Sequence, residues 1–173
     1  MDQRKTKIII MGNLSDKYTE EEWDELCKEV TTTKPKEKFM KEQILDVSEF
    51  QLKFNSDYNT EPTLIDSYQL RYKLLKEENE EYLEAAQNND LVEVADALGD
   101  QLYIILGNII SHGMQGIIGD VFNEIHQSNM SKLDKNEEPI INGVNGFDDT
   151  RPIGKILKSE NYFKPNLKQF LNV

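Results

Sequence analysis

The stretch "LLKEENEEYLEAAQNNDLVEVADALGD", residues 74–100, contains two helix patterns joined by a short polar turn. Apolar and acidic residues recur at spacings of three and four on both sides of "NND", which is the spacing of one helix face. Because the connection is short, we expect the two helices to pack antiparallel. Five glutamates fall within eight positions of the first helix, where like charges repel one another by a few tenths of a kcal/mol per i,i+4 pair. This crowding indicates either a solvated face or a site for a cation.

Further helix patterns flank this pair and predict an all-α fold. One helix runs over about residues 38–54, and the first helix of the pair begins near Leu64. The second helix of the pair extends to about Gly113, and a shorter helix follows over about residues 115–127. The tail is rich in Gly, Asn and Pro, which favours loops and a hairpin-like turn. We therefore expect an antiparallel helical bundle.

The N-terminal residues differ from the rest of the chain. Residues 1–38 are interpreted as an appendage to a domain over residues 39–173. Thr19, followed by Glu22 three residues later, is a capping-box pattern that starts a helix. The apolar face of that helix would consist of Trp23, Leu26 and Val30. The segment "TTTKPKEK" then interrupts the pattern and is typical of a linker.

The helix that follows Asp90 is strongly apolar, and we expect it to be the central core helix. Asp90 and Glu93 form an Asp-x-x-Glu capping box, which gives Glu93 a structural role. Gly113 predicts a left-handed helix end. Gly99 and Gly107 each lower helix stability by about 1 kcal/mol relative to Ala, so a neighbouring helix should approach closely there. The apolar residues are Leu91, Val94, Leu98, Leu102, Ile105, Leu106, Ile109 and Ile110.

Carboxylates on both helices of the pair can converge on a cation. Glu93, Asp96 and Asp100 share one face of the second helix, and buried carboxylates without a partner cost several kcal/mol. Glu78 with Glu81 forms an i,i+3 pair, and Glu93 with Asp96 forms another. Carboxylate oxygens suit Mg²⁺ or Mn²⁺. No His or Cys lies near them in the sequence, which argues against zinc.

Composition narrows the classes of function. With 32 acidic and 20 basic residues, the chain has a formal net charge of −12, which disfavours stable nucleic-acid binding and requires a cation beside any phosphate ligand. The hydrophobic share of 38% is lean for a monomer and compatible with a core completed by a second subunit. Cys27 is the only cysteine, which excludes an intrachain disulfide and fits a cytoplasmic location. No apolar run approaches the roughly 18 residues of a membrane span.

The acidic residues are arranged as Glu77-Glu78-x-x-Glu81, then eleven residues, then Glu93-x-x-Asp96. This arrangement resembles the EExxE…ExxD signature of the all-α nucleoside triphosphate pyrophosphohydrolase superfamily. That superfamily includes MazG proteins, dimeric dUTPases, dCTP pyrophosphatases and phosphoribosyl-ATP pyrophosphohydrolases. The later segments "SNMSK" and "GKILK" look like the phosphoribosyl-ATP-pyrophosphohydrolase-like branch, and the resemblance covers roughly residues 40 to 171.

The resemblance implies a fold, an activity and a set of site residues. It implies a MazG-like bundle that hydrolyses a (deoxy)nucleoside triphosphate between the α and β phosphates, for nucleotide-pool control or house-cleaning. Mg²⁺, with Mn²⁺ as an alternative, would be bound by Glu78, Glu81, Glu93 and Asp96. Glu77 would be the base that activates the attacking water, although a solvated acid is the plainer interpretation of this residue. The resemblance also implies a homodimer or homotetramer.

Six further residues are predicted to contact the substrate. The lysines are candidates for phosphate binding because an ammonium is a flexible point charge, although surface lysines are common. Asn129 could instead cap a helix, and Tyr103 could be a core aromatic. Phe50, Gln51 and Phe54 match the position of the superfamily's base pocket or belong to the core. The six residues are Asn129, Lys132, Lys155, Lys158, Asp100 and Tyr103.

Two alternatives stay open. A phosphoribosyl-ATP pyrophosphohydrolase would have the same fold, and we rank a free nucleotide above it because that enzyme type is usually shorter and lacks such an N-terminal extension. A non-catalytic helical module whose acidic face binds a basic partner would explain the carboxylates without a metal ion.

Overall fold

The computed structural model describes residues 38–171 together with Thr19, Glu21, Glu22 and Glu25. Within residues 38–171 the regular elements are four α-helices and one 3-10 turn, with isolated bridges in place of strands. They are α1 Lys38–Lys53, α2 Tyr68–Gln87, α3 Leu91–Ser111, α4 Ile118–Met130 and the 3-10 turn Leu167–Phe170. The prediction of an all-α fold is therefore confirmed.

The N-terminal capping box is formed as predicted. The Glu22 carboxylate accepts hydrogen bonds from the Thr19 N–H at 2.7 Å and from its hydroxyl at 2.8 Å, and Thr19 Oγ1 accepts from the Glu22 N–H at 3.3 Å. The predicted apolar face at Trp23, Leu26 and Val30 and the linker after it lie outside the described residues. The domain boundary near residue 38 stays a prediction.

Two helices begin later than the sequence pattern indicates. Helix α2 begins at Tyr68 rather than near Leu64, and the Ser67 hydroxyl at its start donates to the Asp57 carboxylate. Helix α4 begins at Ile118, because Met114 and the residues after it form a turn in which the Ile117 N–H donates to the Met114 carbonyl at 3.0 Å. Periodicity predicted that these helices exist, whereas local turn geometry decides where they begin.

The described residues form two compact units. The first comprises residues 38–121 and 168–171, and the second comprises residues 122–167. In the second unit, Ile141 and Ile156 form an antiparallel bridge, which confirms the hairpin-like turn. Asn142 is 1% exposed and its side-chain Nδ2 donates to the carbonyls of Asp148, Arg151 and Pro152. This buried amide therefore holds the loop in a defined conformation.

The core of the first unit lies between α1 and α3. Ile44 and Val47 on α1 are buried against Leu106 and Ile110 on α3. On the other side of α3, Ala85 of α2 and Ala97 of α3 are 5% and 2% exposed. Small side chains at both positions allow the two helix backbones to approach closely. The predicted antiparallel pair α2–α3 is thus built on alanines near the turn.

Among the residues that the structure describes, α3 buries only one of its faces, so the prediction of a central core helix holds in part. Leu106 and Ile110 are buried, whereas Leu91, Leu98 and Ile105 are 79%, 49% and 43% exposed. The exposed face of α3 also carries apolar residues, and the sequence alone therefore suggested that this helix is buried on all sides. Completion of the core by a second subunit stays a prediction.

The glycines of α3 differ in role. A Cβ at Gly107 would lie 3.3 Å from Arg71 Nη1, so the predicted close approach is confirmed there. At Gly99 a Cβ would have no heavy atom within 4 Å, so the same prediction is wrong for that residue. Gly113 has φ +67°, and the N–H groups of Gly113 and Met114 donate to Ile110 and Ile109. This is the predicted left-handed helix end, in the form of a Schellman motif.

Candidate metal and substrate site

The turn between α2 and α3 is closed by Asp90. Its side chain accepts hydrogen bonds from the N–H groups of Val92 at 3.1 Å and Glu93 at 3.2 Å. The second half of a capping box is not made, because the Asp90 N–H donates to the Ala85 carbonyl at 3.0 Å. Asp90 is therefore the predicted N-cap, and the structural role predicted for the Glu93 side chain does not apply.

The register of α2 against α3 determines which carboxylates face one another. The Gln101 side-chain Nε2 donates to the backbone carbonyl of Glu78 at 3.2 Å. Helix α2 ends two residues before Asn89, and helix α3 begins two residues after it. Asn89 itself has φ +56°. Residues at equal distance from Asn89 lie at the same level in an antiparallel pair. This places Glu78 level with Asp100, and Glu81 level with Ala97.

Glu78 is the acid that the structure surrounds most closely with other acids. Its side chain is half-buried, and Oε2 is shielded from solvent without a hydrogen-bond partner. Burial raises the pKa of the Glu78 carboxyl, and the negative charges of neighbouring acids raise it further. Those acids are, in decreasing order of effect, Glu81, Asp100, Glu77 and Asp96. Four carboxylates of α2 and α3 thus act on Glu78, whose buried oxygen has no hydrogen-bond partner among the described residues.

Glu93 lies apart from the centre of this group. It is three residues before Asp96 and seven before Asp100, so at 1.5 Å per residue it is about 10 Å from Asp100 along the helix axis. It is not among the charges that act on Glu78. Of the four predicted metal ligands, Glu81 and Asp96 thus carry charges that act on Glu78, and Glu93 lies nearer the turn.

The carboxylates have suitable donor atoms for a divalent cation, but their present positions do not form a metal site. Among residues 38–171 and the four described N-terminal positions, no three His, Cys, Asp or Glu side chains are close enough to hold a metal ion together. The donors are all carboxylate oxygens, as Mg²⁺ and Mn²⁺ prefer. Glu81, Asp96 and Asp100 are exposed, and exposed side chains change rotamer within nanoseconds. The residues therefore fit a metal ion that would draw them toward the unpaired oxygen of Glu78.

Tyr103 lines a cavity of about 120 Å³ between α1 and α3. Its ring meets the Phe50 ring edge-on at a centroid distance of 5.6 Å, and Phe50 stacks on Phe54 at 4.4 Å. Burial raises the pKa of the Tyr103 hydroxyl, and the Asp46 carboxylate raises it further. Tyr103 is 39% exposed, so it is available to a ligand. The other lining residues are Gln43, Asp46, Val47, Gly99, Leu102 and Leu106.

Gln51 belongs to the core and not to this cavity. It is 1% exposed, and its Nε2 donates to the Gly107 carbonyl at 3.2 Å and to Ser111 Oγ at 2.9 Å. Arg71 Nη2 donates to the same hydroxyl at 2.7 Å. Of the two interpretations of Gln51, the structure supports the core residue.

The predicted phosphate-binding residues all lie in the second unit. Lys132 Nζ donates to Asn129 Oδ1. Asn129 lies inside α4, so it is not a helix cap. Lys158 Nζ lies 4.1 Å from the centre of the Tyr162 ring. Lys155 is exposed, its backbone carbonyl accepts from the Asn142 N–H at 2.9 Å, and its N–H donates to the Pro152 carbonyl at 3.1 Å.

Sequence reasoning missed three residues that the structure places at these sites. Tyr162 binds Lys158, Gln101 sets the helix register, and Asp46 lines the cavity beside Tyr103. The short spacing from "GKILK" to Tyr162 was an available signal. No pattern in the sequence points to Gln101, because its effect depends on how α2 and α3 align.

Comparison with known proteins concerns the segment that contains α2 and α3. The sequence model of the phosphoribosyl-ATP pyrophosphohydrolase family matches residues 47–129, which include all of α2 and α3. No curated protein sequence matched the chain. Pyrophosphohydrolases of this family generally use divalent metal ions. In the part of the chain that the structure describes, no helix is long and apolar enough to span a membrane. Residues 47–129 therefore match the phosphoribosyl-ATP pyrophosphohydrolase family, in the MazG-like all-α nucleoside triphosphate pyrophosphohydrolase superfamily, and the match supports a pyrophosphohydrolase that acts on nucleotide-like substrates.

Proposed function

We propose that this protein hydrolyses a (deoxy)nucleoside triphosphate between the α and β phosphates and releases a nucleoside monophosphate and pyrophosphate. The observation that carries the proposal is the partnerless Glu78 oxygen surrounded by carboxylates of both helices. Removal of damaged or surplus nucleotides would be the physiological role. The reaction needs a water, a base, and positive charge near the phosphates, and the chain offers residues for each.

Glu78, Glu81 and Asp96 would hold Mg²⁺, or Mn²⁺ in its place. The metal ion would supply positive charge that neutralises and orients the phosphates. The helix register favours Asp100 over Glu93 as the fourth carboxylate, because Asp100 is level with Glu78. The Glu93 side chain does not take part in the helix cap, and Glu93 would lie at the edge of the same group of carboxylates.

Glu77 would accept the proton of the attacking water. Successive residues of an α-helix point about 100° apart, so Glu77 does not share the direction of Glu78 and is not needed as a ligand. It is exposed, and a carboxylate within hydrogen-bond reach of a metal-activated water is a sufficient base.

The remaining predicted residues would bind the rest of the substrate. Lys132, Lys155 and Lys158 would contact phosphate oxygens through flexible ammonium groups, and Asn129 would add an amide donor. Tyr103, in the cavity between α1 and α3, would contact the nucleobase with its ring or hydroxyl. Gln43 and Asp46 offer hydrogen-bond acceptors in the same cavity.

Phosphoribosyl-ATP is the second candidate substrate. The observation that favours it is the description of the matching family model over residues 47–129. Both candidates present a triphosphate and would lose pyrophosphate in the same way, so the metal and base assignments do not depend on the choice.

A substrate panel tests the proposal. The protein is incubated with Mg²⁺ and each common ribo- and deoxyribonucleoside triphosphate, and separately with phosphoribosyl-ATP, and pyrophosphate and monophosphate are measured. We expect turnover of at least one free triphosphate, lost in Glu81→Gln and kept in the control Glu84→Gln. Turnover of phosphoribosyl-ATP alone would favour the second candidate. No turnover of any substrate would contradict the enzyme assignment and favour a non-catalytic acidic module.

The identity of the fourth carboxylate ligand is tested by metal-induced stabilisation, without an activity assay. Addition of Mg²⁺ or Mn²⁺ should raise the melting temperature of the wild-type protein, because a cation relieves repulsion among the carboxylates and binds only the folded state. We expect Asp100→Asn to reduce this shift more than Glu93→Gln does. The reverse order would restore Glu93 to the ligand set, and no shift at millimolar metal would contradict the metal site.

A further inference from the structure

The second unit contains a basic cluster without carboxylate partners, formed by Lys132 and Lys158 beside Tyr162. The chain has 32 acidic residues, yet neither lysine is in an ion pair among the described residues. Lys132 instead donates to Asn129, and Lys158 lies over the Tyr162 ring. Both ammonium charges act on the Tyr162 hydroxyl, and positive charges without a counter-charge favour an anion beside them.

Tyr162 is held in place by the chain on both sides of the cluster. The Ser128 side chain is 4% exposed, and its hydroxyl donates to the Phe163 carbonyl at 2.8 Å. The Phe163 N–H donates to Ser131 Oγ at 3.1 Å. Phe163, the residue after Tyr162, is thus hydrogen-bonded to Ser128 of α4 and to Ser131, which lies just after α4. These bonds fix the backbone beside Tyr162, whose ring has the Lys158 ammonium 4.1 Å from its centre.

The electrostatics around the Tyr162 hydroxyl favour negative charge. Burial alone would raise the pKa of this hydroxyl. Hydrogen bonding with Ser128 and Lys158 and the positive charges of Lys158 and Lys132 outweigh burial, so the pKa is lowered. The same groups would stabilise a phosphate oxygen placed beside the hydroxyl. Most of the protein surface repels anions, so this cluster is a local exception.

We propose that Tyr162 is a positioning residue that organises Lys158 and Lys132 into a polyphosphate subsite. The ring holds the Lys158 ammonium, and the two lysines bind the pyrophosphate portion of the substrate or the released pyrophosphate. The identity of the anion rests on the proposed function, whereas the preference for an anion rests on the cluster itself.

Direct binding of inorganic pyrophosphate tests the two lysines. The full-length protein is titrated with pyrophosphate by calorimetry in the presence of a chelator, so that binding through a metal ion does not contribute. Lys132→Ala and Lys158→Ala should each weaken binding about tenfold, the expected effect of one charge-assisted hydrogen bond. The matched control is Lys135→Ala, because the charge of Lys135 acts on Asp134 and not on Tyr162. This control should bind pyrophosphate as the wild type does.

Two variants distinguish the contribution of the Tyr162 ring to binding from that of its hydroxyl. Tyr162→Leu should weaken pyrophosphate binding about fivefold, the upper range for an exposed cation–π contact. Tyr162→Phe keeps the ring and should bind within about twofold of wild type. With substrate, Tyr162→Leu should raise KM with little change in kcat. Melting temperatures are compared, and Tyr162→Phe remains informative if Tyr162→Leu unfolds.

Three outcomes distinguish a failure of the subsite from a failure of the proposed function. Absence of pyrophosphate binding, or wild-type affinity in both Tyr162→Leu and Lys158→Ala, overturns the subsite. Turnover of triphosphates together with that result leaves the proposed function intact. Pyrophosphate binding through the two lysines without turnover of any substrate supports the subsite and overturns the proposed function.

Discussion

At the scale of single residues, Glu78 differs from every other acid of α2. Its Oε2 is buried without a hydrogen-bond partner, and its carboxyl pKa is raised by burial and by four neighbouring carboxylates. A group in this state destabilises the folded protein when it is charged and no cation is present. The position is therefore costly for the protein without metal and useful for binding a metal.

The raised pKa gives a stability prediction with a definite sign. Because the folded state binds this proton more tightly than the unfolded state, the wild-type protein in chelator should lose stability as pH rises through the folded pKa of Glu78. Glu78→Gln carries no such charge, so at pH 7 it should be more stable than wild type by about 0.5 kcal/mol, on the scale of like-charge helix pairs. Denaturant unfolding in chelator at several pH values measures this.

Two results would distinguish the causes of any difference. Below the unfolded carboxyl pKa the wild type and Glu78→Gln should converge in stability. A wild type that is more stable than the variant at pH 7 in chelator would contradict the electrostatic interpretation of this residue. The variant should also lose the stabilisation by Mg²⁺ or Mn²⁺ that the wild type shows.

At the scale of elements, α3 is fixed at both ends and against both neighbours. Asp90 caps its start, and the Schellman motif at Gly113 closes its end. Gln51 ties α1 to the Gly107 carbonyl, and Gln101 ties α3 to the Glu78 carbonyl of α2. These contacts position the acidic face of α3 against α2, so the site depends on α3 being a single rigid element.

Loss of the α3 cap should reduce stability without removing the site. Asp90→Ala removes the acceptor for the N–H groups of Val92 and Glu93, which typically costs about 1 kcal/mol. Asp90→Ser keeps an acceptor and is the matched control, with a cost of a few tenths of a kcal/mol. The free energy of unfolding from denaturant titration is the measurement. Equal stability of Asp90→Ala and wild type would show that the turn is held by other contacts.

At the scale of the whole molecule, the described chain leaves apolar surface uncovered. Leu98 and Ile105 on α3 are 49% and 43% exposed and lie about two turns apart on the same helix. The buried core of the first unit contains few large side chains, which are Ile44, Val47, Leu106 and Ile110. A core of this size is small for the described residues. It is compatible with the homodimer or homotetramer that the family resemblance predicts.

A charge on the exposed face of α3 tests the oligomer. We expect wild type to exceed the mass of one 20.1 kDa chain and Ile105→Lys to shift toward it in light scattering, because an unpaired charge in an apolar interface is costly. Leu64→Lys is the control, since Leu64 is 92% exposed in a loop. A monomeric wild type, or an unchanged mass in Ile105→Lys, would show that this face is not the interface.

The sequence by itself determined the helices, their antiparallel pairing and the types of residue at the site. Helical periodicity and the short "NND" turn are local properties, so α2, α3, the Asp90 cap and the Gly113 end could be predicted from spacing alone. The carboxylates on α2 and α3 were equally visible in the sequence, and both helices lie within residues 47–129, which the family model matches. Helix starts at Tyr68 and Ile118 were missed because turns compete with periodicity.

Only the tertiary structure decided the relations between segments distant in sequence. The level of Glu78 against Asp100 depends on how two helices align, and Glu93 lies seven residues from Asp100 on α3, so the sequence does not show which of these acids is level with Glu78. Burial of Gln51 and exposure of Leu98 depend on which faces α1 and α2 cover. The contact of Lys158 with Tyr162 depends on the path of the loops. Side-chain patterns specify which face of a helix is apolar, whereas packing specifies what that face meets.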